Sequence, residues 1–265
     1  MIPSVTARIV ENRRIAPKGY VMTVELPQAH RPRAGQFGHV RIMAEGTAPF
    51  LRRPFSIWDA RPANGGTHVD MLYALRGQGT RVMSEKRPGE TVGFLGPLGN
   101  NFEIPAGTRH VLMLAGGAGI VPFNLFSRQL AGTPGTLLFG ARTREELYSL
   151  DELGRHPIKI ETCTEDGTHG VKGRVTELCA QWLERNGREG VVAYGCGPHG
   201  MLLAVAKLCR EQRIPCTLSL EVRMGCALGA CRACVVPVRR GESDWRFSRV
   251  CCEGPNYDIR ELVLE

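Results

Sequence analysis

The first hundred residues alternate between apolar and polar positions in short runs, which Gly, Pro and Asn residues interrupt. Alternation with a period of two predicts β-strands, because successive side chains of a strand point to opposite faces. The predicted strands cover residues 4–10, 20–26, 37–43, 54–58 and 69–75. Several short strands separated by turn residues predict a small antiparallel barrel.

From about Arg109 the pattern changes, and short apolar runs alternate with segments whose apolar residues recur every three to four positions. Strand–helix alternation predicts a parallel sheet with right-handed crossovers. Thr143 has the character of an N-cap for the second helix. The predicted strands are 111–115, 136–140, 158–162, 191–194 and 217–222, and the predicted helices are 120–130, 144–153, 175–185 and 201–213.

Cysteine is distributed unevenly along the 265 residues: the chain has ten cysteines, and none precedes Cys163. A chain of this length accommodates two domains and an appendage. We therefore predict an N-terminal β domain over residues 1–103, an α/β domain over 104–215 and a cysteine-rich lobe over 216–265.

The lobe contains Cys226, Cys231 and Cys234 in the spacing C-x4-C-x2-C, and Cys251 and Cys252 follow. This is the plant-type spacing for a [2Fe–2S] cluster. A zinc ribbon usually has two C-x2-C pairs, and here there is one. A disulfide framework is typical of small secreted domains. The N-terminus lacks a secretory pattern and no apolar run has membrane-span length, so we expect a cytoplasmic protein without a membrane span.

The net charge of +8 would permit binding to nucleic acid or to a membrane surface. The basic residues are scattered, however, and no long Lys/Arg block occurs. A solvated basic surface is therefore the better interpretation. We expect no nucleic-acid partner, and an acidic protein or anionic cofactors would use the same charge.

Two glycine-rich corners lie where predicted strands meet predicted helices. The first contains Gly116, Gly117 and Gly119, and the second is Cys196-Gly197-Pro198. Glycine lets backbone amides approach a pyrophosphate, and a helix N-terminus favours negative charge there. A plain strand–helix turn explains each corner about as well. Cys196 is either a small residue in a tight turn or a thiol that lies against a nicotinamide ring.

Two fragments of the N-terminal half also suit a nucleotide. Arg53 can pair with a phosphate, and Ser56 offers a hydroxyl to the edge of a heterocycle. Gly79 and Thr80 follow a predicted strand and would present donors to a diphosphate at a helix start. Each fragment alone is equally consistent with a surface loop.

Together these fragments resemble the ferredoxin-reductase superfamily over the whole chain. The resemblance implies an FAD-binding barrel, an NAD(P)-binding α/β domain and a [2Fe–2S] lobe. One departure is Ala74, where that family commonly has an arginine that Arg76 could replace. The cofactor-binding residues implied are Arg53, Pro54, Phe55, Ser56, Leu72, Tyr73, Ala74, Gly79, Thr80, Gly116, Gly117, Gly119, Cys196, Gly197 and Pro198.

The tail narrows the resemblance. Residues 221–234 and 249–255, with 96–100, 164–167 and 172–176, are similar to the electron transfer subunit of NAD-dependent (class 1B) dihydroorotate dehydrogenase. Alignment on Gly254-Pro255 implies Cys251 as the fourth cluster ligand after Cys226, Cys231 and Cys234. Cys252 then replaces a residue that is usually not cysteine.

This resemblance implies an oxidoreductase of pyrimidine biosynthesis that needs no general base. Electrons would pass from dihydroorotate to the FMN of a catalytic subunit, then to the cluster, to FAD and to NAD⁺, in a heterotetramer of two copies of each subunit. The alternative is a related FAD/[2Fe–2S] NAD(P)H reductase that serves a ferredoxin, a hydrogenase or a sulfite-reducing partner. NAD and NADP remain open, since Arg142 or Arg144 could bind a 2′-phosphate. The seven histidines have no ligand spacing, and we expect surface or turn positions for them.

Overall fold

The computed structural model describes residues 4–27, 30–43, 47–241 and 244–263. Its strands form two sheets of seven strands each and one two-stranded hairpin. The first sheet comes from the N-terminal half and the second from the α/β half. The two halves are therefore built as the hydrophobic pattern predicts.

The first sheet is antiparallel throughout, in the order β4-β3-β7-β1-β2-β6-β5. It curls on itself, since the ring of Phe55 on β4 lies 5.9 Å from that of Tyr73 on β6. A single helix, α1, follows β6. The elements are β1 (Ser4–Arg14), β2 (Gly19–Leu26), β3 (Phe37–Arg41), β4 (Arg53–Ser56), β5 (Asp59–Ala63), β6 (Gly66–Ala74), α1 (Gln78–Glu85) and β7 (Thr91–Leu98).

The five predicted strands of this half are confirmed, while β5 and β7 are additional. Gly93, Gly96 and Pro97 interrupt the alternation in β7, and β5 is short and contains no large apolar residue. One histidine prediction is wrong, because His39 is fully buried on β3. Burial and the nearby Arg52 guanidinium lower the pKa of His39 to about 4, so it is neutral at pH 7.

The second sheet has the order β11-β10-β9-β8-β12-β13-β16, and all its strands except β16 run parallel. Its strand order reverses between β8 and β12, where α/β folds bind ligands beyond the carboxyl ends of their strands. Its elements up to the cysteine-rich segment are β8 (His110–Gly116), α2 (Val121–Arg128), β9 (Gly135–Ala141), α3 (Leu150–Leu153), β10 (Lys159–Thr164), β11 (Val171–Lys172), α4 (Val175–Asn186), β12 (Val191–Cys196), α5 (His199–Glu211) and β13 (Cys216–Ser219).

The predicted continuous helix over 144–153 is wrong. The chain forms a 3₁₀ turn at Arg144–Glu146 and then the short helix α3, and Ser149 between them has the positive φ of 54°. This left-handed residue ends one turn and starts the other. Leu147 and Tyr148, which lie between the two turns, are both buried. Thr143 precedes the 3₁₀ turn without a side-chain cap bond.

The tail folds back onto the second sheet. It contains β14 (Val235–Arg239), β15 (Trp245–Arg249), α6 (Val250–Glu253) and β16 (Asn256–Asp258), and β16 pairs antiparallel with β13. Because β13 starts at Cys216 and is itself a strand of the α/β sheet, the lobe is continuous with that sheet. The domain division at 216 stays a prediction.

Polar contacts join the two halves next to α3. Glu152 accepts a hydrogen bond from the Trp58 indole at 3.0 Å and pairs with Arg13 at 2.6 Å. Asn124 on α2 donates to the Trp58 carbonyl oxygen at 3.1 Å. Within the described ranges, no helix has the length and apolar character needed to cross a membrane.

Candidate functional site

The two glycine corners pack directly against each other at the carboxyl ends of β8 and β12. A Cβ added to Gly119 would overlap the Cys196 carbonyl and lie 2.6 Å from the Gly197 Cα. A Cβ added to Gly116 would lie 2.9 Å from the Pro198 ring. The sheet therefore brings both predicted corners to one point, and only glycine permits the approach.

Cys196 lies half-buried at this point, opposite Ser219 in the register of β12 and β13. Burial and then the negative charge of Glu221 raise the pKa of its thiol to about 12. The thiol is therefore protonated at neutral pH and is unsuited to nucleophilic attack. A neutral thiol fits a residue that lies against a nicotinamide ring without attacking it, and that role stays a prediction.

Arg53 and Gly79 meet in the barrel half. A Cβ on Gly79 would overlap the Arg53 guanidinium and lie 2.7 Å from its Cζ. Gly79 belongs to the first turn of α1, where backbone amides lack acceptors within the helix. A half-buried guanidinium directly over such a turn fits a diphosphate.

The other barrel residues divide into two groups. Pro54, Phe55 and Ser56 are half-buried and accessible beside Arg53. The Thr80 hydroxyl accepts hydrogen bonds from the Arg76 and Gly77 amides, at 2.9 and 3.2 Å, and so fixes the turn that starts α1. On the adjacent strand, Leu72 and Tyr73 are buried, the Tyr73 hydroxyl donates to Asn12, and Ala74 is half-buried.

The two arginines that could bind a 2′-phosphate both have partners. Arg142 pairs with Glu146 at 2.5 Å, and Arg144 contacts the His169 ring at 2.9 Å. The hydrogen bond from Arg142 lowers the pKa of Glu146, which is therefore ionised at neutral pH. This acidic neighbour reduces the positive charge that a 2′-phosphate would meet at Arg142.

The cysteines of the tail lie around one tight loop. Cys226 Sγ accepts hydrogen bonds from the Leu228 and Cys231 amides at 3.3 and 3.4 Å. These hydrogen bonds, chiefly the one from the Cys231 amide, lower the pKa of the Cys226 thiol to about 7. The glycine at the turn, Gly229, has a φ of 77°. Backbone donors around a sulfur favour the thiolate form in which cysteine binds metal.

The four predicted ligand thiols form two contacting pairs. Cys231 lies within hydrogen-bond reach of the Cys226 sulfur, and Cys234 lies within reach of the Cys251 sulfur. A zinc site needs four ligands around one point, whereas a [2Fe–2S] cluster takes two thiolates on each of two irons. No group of three or more His, Cys, Asp or Glu in the described chain surrounds a single metal position. The paired arrangement therefore fits a two-iron cluster.

Cys251 and Cys252 differ in their surroundings. Cys251 is 2% exposed and contacts the Gly229 amide, while Cys252 is exposed, with its sulfur 3.5 Å from that of Cys251. The Val250 amide donates to the Cys234 carbonyl at 2.9 Å, which fixes α6 beside the loop. These contacts support Cys251 as the fourth ligand.

We expect Cys251→Ser to remove most of the cluster, because it leaves one iron with a single thiolate, and we expect Cys252→Ser to retain it. Iron and acid-labile sulfide, assayed on anaerobically purified protein, measure the difference. Since both variants lose one sulfur from adjacent positions, each is the control for the other. Loss of iron only from Cys252→Ser would assign the fourth ligand to Cys252.

Glu253 supports α6 and was not predicted from the sequence. It pairs with Arg246 at 2.5 Å and Arg249 at 3.0 Å, and the bond from Arg246 chiefly lowers its pKa to about 2. Arg249 also reaches the Gly229 carbonyl at 3.4 Å. The only sequence signal is the four-residue spacing of Arg249 and Glu253, a common surface pattern.

Two family models match the chain. Residues 221–263 match the iron-sulfur cluster binding domain of dihydroorotate dehydrogenase B, and residues 113–207 match the oxidoreductase NAD-binding domain. The first match contains all four predicted cluster ligands. The second contains both glycine corners.

Curated relatives match over nearly the whole chain. The dihydroorotate dehydrogenase B (NAD⁺) electron transfer subunit of Bacillus caldolyticus is 37% identical over 263 residues, which is 97% of each chain. The protein with the same name from Geobacillus sp. (strain WCH70) is 37% identical over 87% of this chain and 86% of its own length.

Solved structures share the fold. The structure of an NADH-dependent reduced ferredoxin–NADP oxidoreductase, from work on flavin-based electron bifurcation, is 28% identical. It superposes with a TM-score of 0.84, over 97% of this chain and 90% of its own. A ferredoxin–NADP⁺ reductase from Neisseria gonorrhoeae with bound FAD and NADP has a TM-score of 0.66 at 20% identity, over 79% and 91% of the chains.

Proposed function

The chain belongs to the family of dihydroorotate dehydrogenase B electron transfer subunits, and we propose that it carries electrons from a dihydroorotate-oxidising partner to NAD⁺. It is an oxidoreductase subunit whose cofactors are a [2Fe–2S] cluster, FAD and NAD. One observation supports the proposal most directly: the proposed NAD site and the start of the cysteine-rich segment lie side by side on one sheet. Cys196 lies opposite Ser219, and the segment that carries the cluster cysteines begins two residues later at Glu221.

The residues of this chain bind and orient the cofactors. When bound, FAD exchanges a hydride with the nicotinamide and single electrons with the cluster, so it joins a two-electron carrier to a one-electron carrier. Arg53 and the α1 turn would hold the diphosphate of FAD, and the glycine corners would hold that of NAD. The paired thiols of the tail would hold the two irons.

Cys196 adds no competing reaction at the nicotinamide. The protonated Cys196 thiol presents no nucleophile to the nicotinamide. The described side chains near Cys196 that act on its charge state are Glu221 and Ser219. A general base is not required, because hydride and electron transfer need no proton removed from the substrate by this chain.

The partner proposed is the FMN-containing catalytic subunit, which would oxidise dihydroorotate to orotate. One edge of the cysteine loop is open to it, since Cys231 and Cys252 are exposed and Leu228 is 53% exposed. From family likeness we propose a cytoplasmic heterotetramer with two copies of each subunit.

Reconstitution with that catalytic subunit tests the function. We expect dihydroorotate-dependent reduction of NAD⁺ by the mixture and by neither subunit alone. Reduction of ferredoxin in place of NAD⁺ is the control, because the ferredoxin–NADP oxidoreductase structure shows that this fold also serves other partners. NADH-dependent ferredoxin reduction without any response to dihydroorotate would replace the proposed function by the reductase alternative.

A further inference from the structure

The segment 96–100 meets the end of the segment 249–255 and the following Asn256 where the cysteine-rich tail contacts the barrel. Asn100 donates through Nδ2 to the Asn256 carbonyl at 2.8 Å, and the Asn256 amide donates to Asn100 Oδ1 at 3.0 Å. The Asn100 amide donates to the Gly254 carbonyl at 2.7 Å. Each asparagine thus satisfies the backbone of the other segment.

The Asn256 side chain completes this joint. Its Nδ2 donates to the Asn100 carbonyl at 3.0 Å and to the Gly35 carbonyl at 3.4 Å. The residue is 6% exposed, and its Oδ1 has no hydrogen-bond partner among the described residues. An unpaired buried acceptor destabilises the folded state, so the donor contacts of this amide must offset that cost.

The barrel is shaped to receive the tail at this place. Gly35 has a φ of 91°, and a Cβ there would lie 2.5 Å from Asn256 Nδ2. Gly99 has a φ of 78°, and a Cβ there would lie 2.6 Å from the Pro255 ring. Both positions need glycine for their backbone conformation as well as for the close approach.

Each half of the joint is close to one of the two proposed cofactor sites. On the tail side, Asn256 is five residues beyond the cluster ligand Cys251. On the barrel side, Leu98 at the end of β7 pairs with Phe37, and Phe37 pairs with Ser56 of the flavin motif. A short stretch of chain therefore connects the joint to the cysteine lobe. Two strand pairings connect it to the flavin-binding strands.

We propose that Asn100 and Asn256 are positioning residues, which hold the cysteine lobe on the flavin-binding strands and so set how fast electrons cross between the cluster and FAD. The proposal rests on the proposed function for the two cofactors. It assigns neither asparagine a direct contact with them. Its test needs NADH and this chain alone, so it does not depend on the identity of the catalytic partner.

The test follows the two reductions separately after rapid anaerobic mixing of the cofactor-loaded protein with NADH. Hydride transfer from NADH would give the flavin two electrons, and the flavin would then pass one of them to one ferric iron of the cluster and keep the other. For Asn100→Ala and Asn256→Ala we expect unchanged flavin bleaching, and cluster bleaching slowed by about tenfold or more, since small misplacements cost this much. Iron content and the reduction potentials of both cofactors should stay at the parent values.

Hydrogen–deuterium exchange supplies a readout independent of electron transfer. We expect faster exchange over residues 253–258 and 98–101 in both variants, because Asn100→Ala removes the acceptor of the Asn256 amide and Asn256→Ala removes the donor that holds the Asn100 carbonyl. Asn101→Ala is the matched control: Asn101 lies next to Asn100 but donates to its own neighbour, Phe102. Asn256→Asp should exceed Asn256→Ala in effect, because it places a carboxylate against three oxygen atoms.

Two results would overturn the proposal. The first is cluster reduction and exchange in both alanine variants equal to those of Asn101→Ala. The second is loss of iron from both alanine variants, which would make the pair necessary for retaining the cluster. Failure of dihydroorotate to reduce NAD⁺ in the reconstituted mixture would instead remove the proposed function and leave this measurement interpretable.

Discussion

Cys231→Ser is expected to abolish the visible absorption of the cluster while FAD stays bound at the parent stoichiometry. Cys231 contacts the Cys226 sulfur and donates its amide to it at 3.4 Å, so the change removes one ligand of the first thiol pair. The proposed flavin-binding residues Arg53 and Gly79 lie on β4 and α1, in the N-terminal half of the chain. Losing a residue that only supports a metal ligand typically lowers activity by roughly 10–100-fold. Cys231 is a proposed ligand itself, so electron transfer from the partner should fall by more than this.

Absorption spectra, flavin release on denaturation, and iron and sulfide content together measure this result. Cys252→Ser is the matched control, since it removes an exposed sulfur from the same lobe. NADH-dependent reduction of a soluble two-electron dye should continue in Cys231→Ser, because it needs only the flavin and nucleotide sites. Joint loss of FAD and cluster in Cys231→Ser, but not in Cys252→Ser, would contradict the separation of the two sites.

Most of the architecture can be predicted from the sequence, because buried positions recur with the period of the strand or helix that contains them. Helix α5 has one apolar face and strand β2 is a short, mostly apolar run, and both appear within a few residues of their predicted bounds. The segment 144–153 fails because Ser149 adopts a left-handed conformation that only tertiary packing selects. Strand β7 escapes prediction because Gly93, Gly96 and Pro97 interrupt its alternation, and Gly96 is held by its close packing against Phe37 and Gly38 of β3.

The candidate site is predicted in its parts but not in its assembly. The cysteine spacing indicates the cluster, and the glycine corners indicate nucleotides, because both are local patterns. The meeting of Arg53 with Gly79, of Gly119 with Cys196, and of Cys234 with Cys251 depends on sheet topology. No periodicity encodes such contacts between distant segments, and the same holds for the two asparagines of the joint.

Gly119→Ala is expected to weaken NAD(H) binding by at least about tenfold, which corresponds to roughly 1.4 kcal/mol. The added methyl would overlap the Cys196 carbonyl and approach the Gly197 Cα to 2.6 Å, and both are backbone atoms that cannot rotate away. The two corners must therefore separate, which moves the amides that face the pyrophosphate. Overpacking of this kind also lowers the free energy of unfolding by about 1–3 kcal/mol.

Titration with NADH measures the affinity, and thermal unfolding of the protein with FAD and cluster bound measures the stability. Gly200→Ala is the matched control, because Gly200 lies in the first turn of α5 three residues beyond Gly197, and a Cβ there has open space within 4 Å. Alanine should be neutral or stabilise that helix by up to about 1 kcal/mol. Equal NADH affinity in Gly119→Ala and Gly200→Ala would show that the nucleotide does not depend on contact between the corners. Reduced affinity in Gly119→Ala alone, with FAD and cluster content preserved, would place the pyrophosphate at the point where β8 and β12 diverge.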